Sequence, residues 1–325
     1  MAKAKKPAAK AGKIETHEIQ NEAEWLARRK LDVTASGAPA LLGVHDYVSA
    51  FELYQEKRGE APDLEESAPM RRGRMLEPVA VRVLREENPE VVFTEPRVYL
   101  RDPAARLGAT PDLYAEFPDG SFGIVQIKSV AEMVFNRKWK GESGLTEPPL
   151  WIVVQAIIEA HLASAALGKP VRAFVAPLVI GFGISCELIE IPLDNNAPRV
   201  VENIKKKTAE FWAMVEAGTP PEFDFAKDGE AIAALYGATT GTTIDLSRDN
   251  RAIAAHAELV ELRAKIAADK KAEEALKAEI TAKMGANEVA YIGEGRALTN
   301  KLQHRKGYTV EPTSFRVIRA SFKGA

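Results

Sequence analysis

The residues of this chain best suited to chemistry stand in two short runs, Gly108-Ala109-Thr110-Pro111-Asp112 and Gly123-Ile124-Val125-Gln126-Ile127-Lys128-Ser129. Asp112 opens one strand of an expected hairpin. Gln126 and Lys128 lie two apart on the next strand and so point to one face, with Ile124, Val125 and Ile127 around them. A lysine set in an apolar strand needs a partner, because a buried unpaired ammonium is costly. An acid, a second oxygen donor and a lysine on one hairpin face suit metal-assisted phosphodiester hydrolysis. Mg²⁺ takes one or two carboxylates plus waters and substrate phosphate, and the lysine can hold or help deprotonate the attacking water while offsetting phosphate charge.

Other chemistries find little support. No Walker A, GxGxxG, HExxH or GxSxG pattern occurs. The histidines His17, His45, His161, His256 and His304 are scattered, and His161 sits on an apolar helix face where packing is its expected role. Cys186 is the single cysteine, which excludes a disulfide scaffold, a cysteine-based zinc site and an iron–sulfur cluster, and fits a reducing cytoplasm.

The chain has 325 residues, with 44 Lys and Arg against 46 Asp and Glu and a net charge of −2. At 46% apolar and 28% charged it has the balance of a folded globular protein. No uninterrupted apolar run is long enough to span a bilayer. The N-terminal MAKAKKPAAKAGK carries five lysines and no acid, and no apolar core follows, so it is not a signal peptide. Residues 1–14 read as a disordered basic arm, either merely solvated or touching phosphates. Without those five lysines the rest stands at −7. An anionic partner must then meet a local patch rather than a basic globule.

These runs must be held by a scaffold. Residues 15–60 read as helices, chiefly 21–30 and 49–57, followed by a polar connector at 59–69 and a helix over about 77–87 with Pro78 in its first turn. Short β runs follow at 91–93, 97–100, 113–117 and 122–128, separated by Asp-Pro and Asp-Gly turns. Helices at 151–167 and 200–217 alternate with strands at 172–178 and 186–191. The order describes an α/β domain over residues 15–222. A linker at 223–250, including GATTGTT, leads to an appendage at 251–325. There, residues 251–284 read as a long helix with Leu259, Leu262, Ile266, Leu276 and Ile280 on a heptad seam, broken by Asp269 and Glu273. Candidate strands lie within 289–302 and 315–319.

The Asp…(D/E)xK arrangement resembles that of the PD-(D/E)xK, or restriction-endonuclease-like, nuclease superfamily. A longer match resembles its YqaJ-like viral recombinase, phage lambda exonuclease-type nucleases. The matching residues are Trp25…Arg29 leading to Thr34-Ala35-Ser36; Gly73…Glu77-Pro78; Ala109-Thr110-Pro111-Asp112; Gln126-Ile127-Lys128; and Gln155 in Trp151-Ile152-Val153-Val154-Gln155. They occur in the family's order over about residues 20–215.

The resemblance implies a mixed central sheet flanked by helices, a helical plus β appendage, and a 5′–3′ exonuclease of double-stranded DNA that leaves 3′ single strands for recombination. It implies Mg²⁺, which Mn²⁺ can replace, with Asp112, residue 126, the Ile127 carbonyl and Glu77 as ligands, Lys128 assisting the water and Gln155 orienting nucleophile or phosphate. Arg29 and Ser36 would bind the 5′-phosphate. It further implies a single-strand annealing partner, a ring-shaped homo-oligomer, with a trimer favoured, and the cytoplasm of a bacterial or phage-infected cell.

The chain departs from the family at one point. Gln126 stands where the family has Glu, which removes a full negative charge and should weaken metal binding. Gln126 is either a natural variant or a deliberate Glu→Gln change that traps substrate. Alternatives to the exonuclease are a DNA-end binding form with little turnover, and another nuclease of the superfamily such as a junction resolvase. Each residue also has a structural reading: Asp112 as a turn residue, Lys128 as a solvated strand end, Glu77 as a helix-dipole partner, Gln155 as a packing group and Arg29 as part of a solvated charged face. Trp139 and Trp151 read as packing residues, with base stacking open to Trp139.

Overall fold

The computed structural model describes residues 13–61, 67–141, 144–238 and 241–304. The expected basic arm, apart from Lys13 and Ile14, lies outside the described residues, as do the candidate strand at 315–319 and part of the connector at 59–69. The chain forms two compact units, residues 1–233 and 234–325.

The first unit opens with β1 (Glu15–Glu18), α1 (Glu22–Arg29), β2 (Val33–Thr34), α2 (Ala38–Leu41), α3 (Ala50–Arg58) and α4 (Ala68–Glu87). Asn21 caps α1 on the Glu24 N–H, with acids in the first turn and Arg28 and Arg29 in the last, as the helix dipole favours. Ser49 and Glu52 close a capping box on α3, and Gly59 ends it in the left-handed region at φ 70°. Next come β3 (Val92–Thr94), β4 (Val98–Asp102), β5 (Leu107–Ala109), β6 (Leu113–Glu116), β7 (Phe122–Ala131), α5 (Glu132–Lys138) and α6 (Leu150–Leu167). β8 (Arg172–Ile180), β9 (Ile184–Cys186), β10 (Ile189–Ile191), α7 (Ala197–Ala217) and α8 (Gly229–Leu235) follow, and α8 falls in the stretch expected as a linker.

The α/β class and the mixed central sheet flanked by helices are present. One sheet runs β10-β8-β7-β6-β3, with β9 on the outer half of β8. β7 and β8 are parallel and every other pair is antiparallel. A parallel pair needs a long crossover, here built from α5 and α6. Alternation along β7 divides its side chains between two apolar clusters. Phe122, Ile124 and Val130 pack with Ile152, Ala156 and Leu162 of α6. Val125 and Ile127 pack on the other face with Ala80, Val81 and Leu84 of α4. Gln126 and Lys128 share the parity of Ile124, so they face α6.

The second sheet has the order β1-β4-β5-β2. Its polar pin is Asp32, fully buried, which accepts from Arg101 Nε at 2.9 Å and from the Tyr99 hydroxyl at 3.1 Å. Burial raises the Asp32 pKa while Arg101 opposes the rise.

Several expectations are corrected. Residues 15–18 form β1 rather than helix, because pairing with β4, reinforced by Arg101 at 3.5 Å from Glu15, outweighs local pattern. The helix expected from 77 begins at Ala68 under a Ser67 cap, so Pro78 lies inside α4 rather than in its first turn. The strand expected at 186–191 is two strands on the same edge of β8, opposite β7: β10 along Ala173–Val175 and β9 along Leu178–Ile180. β2, β5 and α5 were not anticipated; the two strands are only two and three residues long and exist through their partners.

In the second unit, α9 (Asn250–Met284) starts at an Asp249 cap and leaves Leu262, Ile266, Leu276 and Ile280 exposed. β11 (Val289–Tyr291) and β12 (Ala297–Thr299) form a hairpin in place of one continuous β segment.

Candidate active site

β6 and β7 pair with Leu113 opposite Val125, which brings Asp112, at the entry to β6, beside Gln126. The backbone N–H of Ile127 donates to Asp112 Oδ2 at 2.7 Å. The Gln126 amide donates to the same Asp112 oxygen and, at 3.1 Å, to the Ile127 carbonyl.

The rest of the network comes from α6. This helix is apolar on every side, and its middle is buried. Gln155 and Glu159, one turn apart, are its buried polar residues, 4% and 1% exposed. Lys128 Nζ donates to Gln155 Oε1 at 3.0 Å. Lysine can only donate, so this bond fixes the orientation of the Gln155 amide. Gln155 Nε2 then donates to Gln126 Oε1 at 2.6 Å and to Glu159 Oε1 at 2.8 Å. The Gln126 oxygen expected as a ligand is thus turned toward Gln155, and its N–H₂ group faces the other two expected donors. Glu159 Oε2 is buried without a partner among the described residues.

Burial displaces the acids upward. Asp112 is pushed up to about 7 by burial, with the Lys128 charge and the Ile127 N–H opposing and Glu77 adding to the rise. Glu159 is pushed up to about 8, again chiefly by burial, with Asp112 adding. Lys128 is held below the usual lysine range by burial against the pull of Asp112 and Glu159. Desolvation thus disfavours the charged form of all three groups.

Glu77 stands on α4, on the opposite side of the sheet from Gln155. Its side chain is exposed, but desolvation of the carboxyl, then Glu95, raises its pKa, and its charge is felt at Asp112. It belongs to the rim. Among the described residues no group of three His, Cys, Asp and Glu side chains is placed to hold a metal ion. A divalent cation here would rely on Asp112 and the Ile127 carbonyl, with waters and phosphate completing its shell, a donor set that Mg²⁺ accepts. These two acceptors already converge on one N–H₂ group, so the residues fit such an ion once that amide withdraws.

Arg29 and Ser36 are not hydrogen-bonded to this cluster. Arg29 lies over the Trp25 ring at 4.5 Å, and Trp25 Nε1 donates to Thr110 at 3.0 Å, two residues before Asp112. Among the described residues the Arg29 guanidinium has no hydrogen-bond partner. Ser36 meets Thr34 at 3.1 Å, and Ala35 N–H donates to Gly108 at 2.7 Å. Both residues therefore hang from the segment that leads into Asp112.

Two residues of the site escaped the sequence reading. Glu159 carried a usable signal, an acid one turn beyond Gln155 in an apolar helix. His45 carried none; it is buried against Trp151, centroids 4.8 Å apart, and its Nδ1 accepts from Tyr47 and Val48 N–H at 3.0 Å. Burial lowers its pKa to about 4, with Lys128 adding to the effect. Trp139 is 2% exposed, which removes it as a base-stacking surface.

Residues 24–163 match the YqaJ-like viral recombinase domain family, a stretch that holds every residue expected at the site. No curated protein sequence matches the chain. In fold the chain is similar to the alkaline exonuclease LHK-Exo from Laribacter hongkongensis, at 20% identity and TM-score 0.45, covering 65% of this chain and 99% of that one. A complex of LHK-Exo with dAMP gives TM-score 0.44, 20% identity and coverage of 66% and 100%. The Shutoff and Exonuclease Protein from Kaposi's sarcoma-associated herpesvirus gives 10% identity and TM-score 0.34, with 59% of this chain and 68% of that one covered.

Proposed function

From the match of residues 24–163 to the YqaJ-like viral recombinase domain family, together with the site's geometry, we propose that the chain is a metal-dependent nuclease. It resects double-stranded DNA from a 5′ end and leaves a 3′ single strand. The observation that carries this reading is the single hydrogen-bonded cluster of Asp112, Gln126, Lys128 and Gln155 in otherwise apolar surroundings.

Asp112, the Ile127 carbonyl and, after its amide turns, Gln126 would hold Mg²⁺ or Mn²⁺, with Glu77 at the rim. Such an ion supplies an activated water and offsets charge on the phosphate. Lys128, held by Gln155, would steady the attacking water and offset charge on the phosphate. Gln155 orients that amine, and Glu159 in turn fixes Gln155. Arg29, stacked on Trp25 with its N–H groups unengaged, suits a terminal 5′-phosphate, with Ser36 as a further donor.

The charge balance favours enclosure over bulk attraction. A chain at −2 gains little from counterion release. A homo-oligomeric ring, trimeric by the resemblance, would hold DNA by topology, and a single-strand annealing protein would receive the product in a bacterial or phage-infected cytoplasm. A second reading, DNA-end binding with little turnover, is favoured by one observation: the Gln126 amide fills the place between the two expected ligands. Digestion of linear and circular duplexes with 5′-phosphate or 5′-hydroxyl ends tests both readings. Loss of linear 5′-phosphorylated DNA alone supports the exonuclease, cutting of circles supports a different nuclease, and tight end binding without digestion supports the second reading.

A further inference from the structure

The rim of the candidate site carries an aromatic surface that no catalytic role explains. Tyr47 is 64% exposed, although it lies close to the buried His45. Its ring meets the Trp151 ring edge to face, centroids 6.1 Å apart, and Trp151 also stacks on His45. On the same Trp151 ring, Lys128 Nζ stands 5.2 Å from the centroid. Tyr47 is therefore one ring removed from the lysine at the centre of the site. Its position is held from a second side by Lys138, whose Nζ lies 5.5 Å from the Tyr47 centroid and pairs with Asp46 at 2.7 Å. That pair also offsets the charge of Asp46, the residue before Tyr47.

We propose that Tyr47 is a base-stacking platform for a nucleotide adjoining the scissile phosphate. The proposal rests on the nuclease reading. A flat ring with an open face, fixed by aromatic contacts and by a cation, offers a nucleobase stacking without sequence preference. Trp151 is less open, half-buried with His45 against its ring and Tyr47 edge to face with it, and Trp139 is buried. Phe182 is fully exposed but has no ring contact linking it to Lys128 among the described residues.

The test uses the full chain, in chelator and at fixed ionic strength, with 5′-phosphorylated duplexes carrying 2-aminopurine at each of the terminal nucleotides in turn. The unaltered chain should quench the probe at one position near the end. Tyr47→Ala should lose that quench and weaken end binding about tenfold, whereas Tyr47→Phe and Phe182→Ala should keep both. An abasic nucleotide at the quenched position should weaken binding by the unaltered chain and leave Tyr47→Ala unaffected. Equal quenching by the unaltered chain and Tyr47→Ala, or loss only in Phe182→Ala, overturns the platform while leaving the nuclease reading standing. Absence of any binding of the unaltered chain to DNA ends overturns both.

Discussion

The side-chain amide of Gln126 donates to Asp112, and the same nitrogen donates to the Ile127 carbonyl at 3.1 Å. One neutral N–H₂ group thus satisfies two acceptors that a cation would otherwise join. Lys128 dictates this arrangement from a distance, since its donation to Gln155 orients Gln155, and Gln155 orients Gln126.

Replacing Gln126 with Glu removes the bridge and sets a second carboxylate against Asp112. The metal-free variant should be less stable than the unaltered chain by about 1–3 kcal/mol, the usual cost of an uncompensated buried polar or charged group. Mg²⁺ should raise its melting temperature more than that of the unaltered chain. Paired thermal melts in chelator and in Mg²⁺ measure both effects, and an equal Mg²⁺ response in the two chains would count against a cation at Asp112.

Lys128→Met should keep the fold, because it removes a desolvated ammonium rather than a packed apolar group. Introduced alongside Gln126→Glu, it should lower digestion under single-turnover conditions by about 100-fold or more relative to Gln126→Glu alone, the scale seen when a positioned electrostatic group is lost. Unchanged rates would show that Lys128 is only a buried partner for Gln155.

Stability should depend on pH in a direction set by the site. Asp112 and Glu159 sit near 7 and 8 in the folded chain against ordinary values of 3.8 and 4.5. The folded state therefore keeps protons that the unfolded chain releases, and the stability this contributes is full at low pH and lost as pH rises through 7 to 8. His45, lowered to about 4 from 6.5, acts the other way: its contribution is present above 6.5 and lost as pH falls toward 4. Above pH 6.5 the His45 contribution is complete; the two carboxylates then lower the stability of the metal-free protein as pH rises toward 8, and Lys128, held below the usual lysine range, opposes them by releasing a proton that the unfolded chain keeps. Denaturant titrations at stepped pH should find a smaller loss in Glu159→Gln, which cannot ionise.

The site was legible where its geometry is local. Strand alternation placed Gln126 and Lys128 together, and the Asp119-Gly120 turn, with Gly120 at φ 79°, brought Asp112 back beside them. Gln155 was legible only through the resemblance, since a lone polar residue in an apolar helix reads equally as a packing group. What was not legible depends on long-range pairing. β1 looked helical because its four residues are polar and mostly exposed. The start of α4 was hidden because Pro78 reads as a helix boundary, whereas it lies inside the helix. The direction of the Gln126 amide follows from a lysine and a helix whose meeting no local pattern records, and His45 reaches Trp151 from over 100 residues away.

Two glycines of the matched motifs should respond oppositely to alanine. A Cβ at Gly108 would stand 1.9 Å from the Tyr99 hydroxyl, which is held by buried Asp32 and cannot swing away without breaking that bond. Gly108→Ala should cost about 2–4 kcal/mol through overpacking and a lost buried hydrogen bond. A Cβ at Gly73, inside α4, would meet nothing within 4 Å, so Gly73→Ala should stabilise by about 0.5–1 kcal/mol. Chemical denaturation of the two variants separates these cases.

The most direct measurement is Mg²⁺-dependent digestion of a 5′-phosphorylated linear duplex by this chain and by Gln126→Glu, side by side. Turnover should be slow or absent in the unaltered chain and at least about tenfold faster in Gln126→Glu, because a restored carboxylate holds the ion more firmly. Absence of digestion by both, with folding intact, would contradict a metal-dependent nuclease built on Asp112 and Lys128.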